Sequence, residues 1–221
     1  MDTAAFERAL PALWADFPRS DLPLDGRFAQ ILAEVPGLTK PNSLALLHLA
    51  AAHLPAAESY VEVGALRGTS LIAAMLDNER KDFVVIDDFS MRDASRLQLE
   101  GNLRRFGLTG ATIVEGDALD VLRGDALRAR SVGVYYYDAG HTYEQQLEAL
   151  RLVEPHLAPE ALVIVDDSDW DAVARAVSDY LASQPNATSI LHIAGKAAGS
   201  AAWWEGVHVL RWRAGGDGSE R

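Results

Sequence analysis

Apolar, β-prone runs alternate with helix-patterned stretches through most of this chain, and each of the first five runs has an acid at or next to its end. The runs are SYVEV, FVVID, ATIVEGD, VGVYYYD and ALVIVDD. Helices are expected after them at about 69–76, 93–106, 118–127, 142–156 and 171–182. This alternation constrains the fold more than any other feature, because short strands joined by helical crossovers specify a parallel sheet covered on both faces. The ending differs. SILHIA and GVHVLRW are two further strands, joined by GKAAGSAAWWE without a helix signal, so an antiparallel hairpin is expected at one sheet edge. Further helical patterns at about 3–14, 27–34 and 43–53 precede the first strand. The expected architecture is α/β and doubly wound, with a mostly parallel seven-stranded sheet, a C-terminal antiparallel hairpin and an N-terminal helical segment. Residues 1–55 read as that segment, capping the site or contacting a second copy. Residues 56–213 read as the sheet domain, and 214–221 as a disordered tail.

The 221 residues suffice for one such domain. A net charge of -12 argues against a broad grip on nucleic acid, which needs a basic face. With no cysteine, disulfides, thiolate metal sites and a cysteine nucleophile are excluded. The opening MDTAAFERAL lacks the basic start and apolar block of a signal peptide, and LALLHLAAAHL is too short to span a bilayer. A soluble, cytoplasmic protein without a membrane partner is therefore expected.

Ligands of doubly wound sheets bind at the carboxyl ends of the strands. There the chain deposits Glu62 and Gly64, then Asp87 and Asp88, then Glu115 and Asp117, then Asp138 with His141, then Asp166 and Asp167. Helix caps and turns account for one or two such acids, not for all five strands. Gly64 and Gly68 would let backbone approach a ligand and turn into a helix, but the middle glycine of a dinucleotide fingerprint is missing. Glu62 would repel a phosphate and suits an ammonium. Asp87, 25 residues further on, suits two ribose hydroxyls, with Asp88 as its competitor. Asp117 is either an acceptor for an adenine amino group or the N-cap of the next helix. An ammonium, a ribose and an adenine without a phosphate describe S-adenosylmethionine.

On VEVGALRGTS, VVIDDF, EGDA, YYYDAGHTYE and VIVDDSDW, the chain resembles class I S-adenosylmethionine-dependent methyltransferases, which are Rossmann-like. It is most similar to the small metal-dependent O-methyltransferases of natural-product sugars (macrolide or cephalosporin-pathway type) and related hydroxyl compounds. Ala65 and Arg67 stand where many class I members have glycine. The resemblance implies Glu62, Gly64 and Gly68 at the methionine part of the cofactor, Asp87 at the ribose, and Asp117 with Ala118 at the adenine. It also implies a small-molecule hydroxyl acceptor, and a homodimer as a possible assembly.

Asp138, Asp166 and Asp167 close neighbouring strands, and three clustered carboxylates repel one another unless a hard divalent cation such as magnesium relieves them. Metal-dependent O-methyltransferases place acids in this way. His141, three residues past Asp138, is the expected general base, and the competing reading makes it a turn residue ordered by nearby acids. Thr142 and Gln145 fit a capping box. Trp170 reads as core, and Trp203 and Trp204 as lining either an entrance or a dimer face. Two rival readings follow the same residues: a metal-independent methyltransferase using His141 and Asp138, and an NAD-dependent oxidoreductase. The second lacks the glycine fingerprint and a Tyr-x-x-x-Lys dyad, Lys196 standing far away. A non-catalytic nucleoside-binding domain would have no need of mutually repelling carboxylates.

Overall fold

Seven strands form one sheet in the order β3-β2-β1-β4-β5-β7-β6. The computed structural model describes residues 1–195 and 201–215. Most of the expected tail, 216–221, and part of the hairpin loop, 196–200, lie outside the described residues. The strands are β1 (Ser59–Val63), β2 (Asp82–Asp87), β3 (Thr112–Glu115), β4 (Val132–Tyr137), β5 (Leu157–Asp166), β6 (Ala187–Ile193) and β7 (Val207–Arg213). The first five pair in parallel, and β7 runs antiparallel between β5 and β6. The seven-stranded sheet and its antiparallel hairpin agree with the sequence reading. β1 pairs with β2 on one side and β4 on the other, so crossovers leave in opposite directions there. That reversal opens a crevice beyond the carboxyl ends of β1 and β4.

The helices are α1 (Thr3–Ala9), α2 (Arg27–Glu34), α3 (Pro41–Ala52), α4 (Thr69–Met75), α5 (Arg96–Arg105), α6 (Ala118–Arg123), α7 (Tyr143–Val153) and α8 (Asp171–Ser183). Three differ from the sequence expectation for identifiable reasons. The segment 3–14 breaks into α1 and a 3-10 turn, Leu10–Leu13, that carries Pro11, which lacks the N–H a continuing α-helix needs. α5 starts only at Arg96, capped by Ser95, because Arg92 and Asp93 take left-handed backbone. α6 stops at Arg123, where Gly124 becomes extended.

Strand side chains alternate between two apolar layers. Tyr60, Phe83, Val85, Tyr136 and Ile164 face a core shared with α3 and α4. Val61, Val63, Val84, Tyr135 and Tyr137 face a second core built with α7 and α8. Because both faces are covered, β1 and β4 are buried along their whole length, which is why β4 reads as a continuous apolar run and β1 as one broken only by Ser59 and Glu62. The N-terminal segment packs on the first core: Trp14 and Phe17 meet the fully buried Trp203 at ring separations of 5.2 and 6.2 Å. Among the described residues no helix is long and apolar enough to cross a membrane.

Candidate active site

A cavity of about 590 Å³ lies at the carboxyl ends of the parallel strands. Gly64, Asp87, Asp117, Ala118, Asp138, His141 and Asp167 all line it, so most of the sequence-predicted residues converge. Glu62, Gly68 and Asp166 are not among its lining residues.

Gly64 follows β1 with φ +89, and a Cβ there would sit 1.8 Å from the Asp138 carbonyl oxygen. The glycine is therefore required by the packing of β1 against the end of β4. The sequence suggested approach to a ligand; the close neighbour is protein backbone. Gly68, at φ +88, is the N-cap of α4 and turns the chain into that helix, as expected.

Glu62 has no exposure. Its Oε1 accepts a 2.6 Å hydrogen bond from Ser70 Oγ and its Oε2 a 3.1 Å bond from Tyr60 Oη. Burial pushes its carboxyl up to about 8, assisted by the charges of Asp138 and Asp87 and opposed by the two hydroxyls. The cavity wall in front of it is Ser70. Ser70 was missed in the sequence, although its place in the first turn after Gly68 is the signal that could have found it.

Asp87 holds the glycine loop. Its Oδ2 accepts from the amides of Ala65 (2.7 Å) and Leu66 (2.8 Å), and its Oδ1 from Phe89 (2.6 Å). Leu66 and Phe89 both take left-handed backbone, at φ 52. One carboxylate thus pins two strained residues. Asp88 is exposed and accepts from the Ser90 amide, whose hydrogen bond holds its carboxyl below the usual range. Asp117 is the N-cap of α6, accepting at Oδ1 from Leu119 and Asp120, both at 3.0 Å. The cap reading is thereby realised, and because Asp117 also lines the cavity it does not exclude a ligand contact.

The other half of the site is less settled internally. His141 Nε2 lies 2.9 Å from Asp167 Oδ2 and 3.8 Å from Asp138 Oδ1, as ion pairs by distance without hydrogen-bond alignment. Burial pulls the imidazole down, but the two carboxylates outweigh it and raise it to about 9. Asp138 is itself raised, by burial and by Asp167. Asp166 is raised well above the usual range by burial and by the charges of Asp138 and Asp167. Its Oδ2 accepts a 2.7 Å bond from Tyr136 Oη, while Oδ1 of Asp166 and Oδ1 of Asp167 are buried without partners. Tyr136, on β4, is a second residue the sequence reading missed; in an apolar tyrosine run nothing marks which hydroxyl reaches an acid.

Among the described residues, the group able to offer donor atoms to one ion is Asp138, His141 and Asp167, whose donors lie within 4.8 Å of one another. His141 stands in this group where the sequence reading had Asp166, which sits beside Tyr136. The donor set fits a hard divalent cation: carboxylates in excess over cations, with an unpartnered oxygen on Asp167.

Trp170 departs from its expected place in the core. It is 46% exposed, lines the cavity, and its ring lies 4.8 Å from that of His141. Leu38, Thr39 and Trp204 form a further part of the wall. Asp169 ties this wall to the sheet by accepting from the Gly195 amide and donating its own amide to Glu205. Thr39 Oγ1 is buried without a partner, and no local motif in the sequence links it to strands that begin twenty residues later.

Residues 61–168 match the family described as a methyltransferase domain. No curated protein matches the chain. Among solved structures, cofactor-bound Rv0187 from MTB is 19% identical, with a TM-score of 0.66 over 97% of both chains. TomG, an O-methyltransferase of Streptomyces achromogenes involved in tomaymycin synthesis and solved with SAM, is 19% identical. Its TM-score is 0.64, over 97% of this chain and 100% of its own. An O-methyltransferase from Bacillus cereus in complex with SAH is 16% identical, with a TM-score of 0.63 over 95% of this chain and 97% of its own. At such identities these likenesses establish the fold. The family match runs from within β1 to just past β5 and holds every site residue expected from the sequence. Residues 61–168 are thus similar to a methyltransferase domain, and the fold is that of the solved methyltransferases.

Proposed function

We propose that the protein transfers the methyl group of S-adenosylmethionine to a hydroxyl oxygen of a small molecule, a sugar or another natural product. The observation that carries this reading is the convergence on one cavity of a cofactor-shaped set and a proton-handling set. The first comprises Ser70, Asp87, Asp117 and Ala118; the second comprises Asp138, His141 and Asp167. Solved structures of like fold include O-methyltransferases holding SAM or SAH.

In this reading Asp87 accepts from the ribose with the one lone pair left on Oδ1 after its three amide bonds. Asp117 and Ala118 border the adenine, and Gly64 and Gly68 shape the loop beside the methionine part, with Glu62 behind Ser70. His141 Nε2 takes the hydroxyl proton. Asp138 and Asp167 would hold a divalent cation such as magnesium, with Asp166 behind them, and such a cation would supply charge neutralisation and a lowered acceptor hydroxyl pKa. The oxygen forms a bond to the methyl carbon as the carbon–sulfur bond breaks, and its electron pair stays on sulfur to give S-adenosylhomocysteine. Much of the rate comes from alignment of oxygen, carbon and sulfur. Trp170 beside His141 offers a flat apolar wall to the acceptor.

Titration calorimetry with S-adenosylmethionine and with NAD, each with and without magnesium, tests the reading. Binding of S-adenosylmethionine alone, with a magnesium heat lost in Asp167→Ala, is expected. NAD binding in its place would overturn the class of cofactor. Turnover unchanged by exhaustive chelation would leave a metal-independent transfer by His141 and Asp138. The acidic surface, the fold and the cavity suit a small acceptor in the cytoplasm better than nucleic acid, and a homodimer is the proposed assembly.

A further inference from the structure

We propose that Glu62 and Ser70 form a proton-coupled relay in which arrival of the cofactor's ammonium group expels the Glu62 proton to solvent. The inference rests on the proposed cofactor. Its basis is a division of labour: Ser70 lines the cavity, while Glu62 stands behind it with no exposure. Glu62 cannot touch a ligand without moving; Ser70 can, and the two are joined at 2.6 Å.

A serine hydroxyl has one proton and two lone pairs, and the carboxyl behind it decides how they are used. When Glu62 carries a proton and donates it to Ser70 Oγ, the serine turns its own proton toward the cavity and presents a donor. When Glu62 is ionised, Ser70 donates inward and presents lone pairs. An ammonium, with only donors, requires the second arrangement.

Burial and the charges of Asp87 and Asp138 favour the first while the cavity is empty, outweighing the hydroxyls of Tyr60 and Ser70, which favour the second. Tyr136 on β4 also faces Glu62. None of these groups is a cation, and burial holds the carboxyl protonated up to about pH 8. An incoming ammonium supplies the missing positive charge. One cation enters, one proton leaves, and the net charge of the buried site is unchanged.

The test is titration calorimetry at pH 7 in two buffers of different ionisation heat. The ligands are S-adenosylhomocysteine and 5′-methylthioadenosine, which lacks the amino-acid portion. The expected result is release of about one proton per S-adenosylhomocysteine bound and none for 5′-methylthioadenosine. Wild-type affinity for S-adenosylhomocysteine should rise up to about tenfold per pH unit between pH 6 and 7.5. Glu62→Gln should bind without proton release and with a flat pH profile, and Ser70→Ala should weaken S-adenosylhomocysteine alone. Wild-type binding without proton release overturns the relay, and this readout needs no variant to fold. Release that persists in Glu62→Gln overturns it as well. If neither nucleoside bound, the cofactor reading itself would fall and the relay with it.

Discussion

The two halves of the cavity handle their acids in opposite ways. At the ends of β1, β2 and β3 the acids Glu62, Asp87 and Asp117 are each satisfied by their own surroundings. Glu62 has two hydroxyls, Asp87 three backbone amides and Asp117 two. At the ends of β4 and β5 the acids outnumber their partners: Asp166 and Asp167 each keep a buried oxygen unpaired, and one histidine serves two carboxylates. Buried polar groups are normally paired, so the second half is arranged for something that arrives. The difference teaches that the first half is preorganised by the chain alone, whereas the second keeps unpaired oxygens that, on the proposed function, a cation, an acceptor or both would meet.

The halves meet at Gly64, and breaking that joint should have the largest effect. A Cβ there would collide with the Asp138 carbonyl, and the backbone is left-handed as well. Gly64→Ala should destabilise the protein by about 4 kcal/mol or more, a size reserved for clashes that backbone cannot relax. Urea unfolding would read it. A loss below about 1 kcal/mol, the ordinary mutational scale, would mean that the strand ends are not locked together, and the two halves would then be independent.

Next comes a substitution confined to the second half. On the proposed assignment His141→Ala should lower turnover by about 10²–10⁴-fold, the usual contribution of a general base. Calorimetric affinity for S-adenosylhomocysteine should stay within a factor of a few, because the first half does not use His141. If affinity collapsed together with turnover, His141 would be part of the scaffold and the division between the halves would fail.

The contrast also explains what the sequence could disclose. β4 and the second half of β5 read clearly because burial on both faces produces unbroken apolar runs, and the acids that follow them mark the crevice. Position along a strand is a local property. Partnership is not: Glu62 reads as a ligand contact until Ser70 is seen in front of it, and Tyr136 reads as core until its hydroxyl is found on Asp166. Trp170 and Thr39 were illegible for a related reason. Each takes its role from a loop or segment brought to the cavity by the fold, with no spacing rule to announce it.

The first half makes its own prediction with pH, in the absence of ligand. Glu62 ionises near 8 in the folded protein against 4.5 in its ordinary state, because of burial. Below pH 4.5 both folded and unfolded chains hold the proton and the group contributes nothing to pH dependence. As pH rises the unfolded chain ionises first, so stability falls, and the loss continues until the folded group ionises too, near pH 8. Between pH 4.5 and pH 7 this amounts to about 3 kcal/mol. Urea unfolding from pH 5 to pH 8 should show the slope, and Glu62→Gln should flatten it. A slope that Glu62→Gln leaves intact would place the titrating group in the second half.

The smallest effect separates two roles carried by one residue. Asp117 caps α6 through Oδ1 and also borders the cavity. Asp117→Ala should remove about 1 kcal/mol of stability, the typical value of an N-cap. Asp117→Ser keeps a capping oxygen on a shorter side chain, so stability should return. If Asp117 also accepts from the adenine amino group, affinity for adenosine-bearing ligands should remain weakened in the serine variant, by about tenfold for one lost hydrogen bond. Recovery of both properties in Asp117→Ser would make the acid a cap and nothing more. The adenine would then be held by shape and by the apolar neighbours Ala118 and Leu119, and the first half of the site would be selective for the ribose and the amino acid rather than for the base.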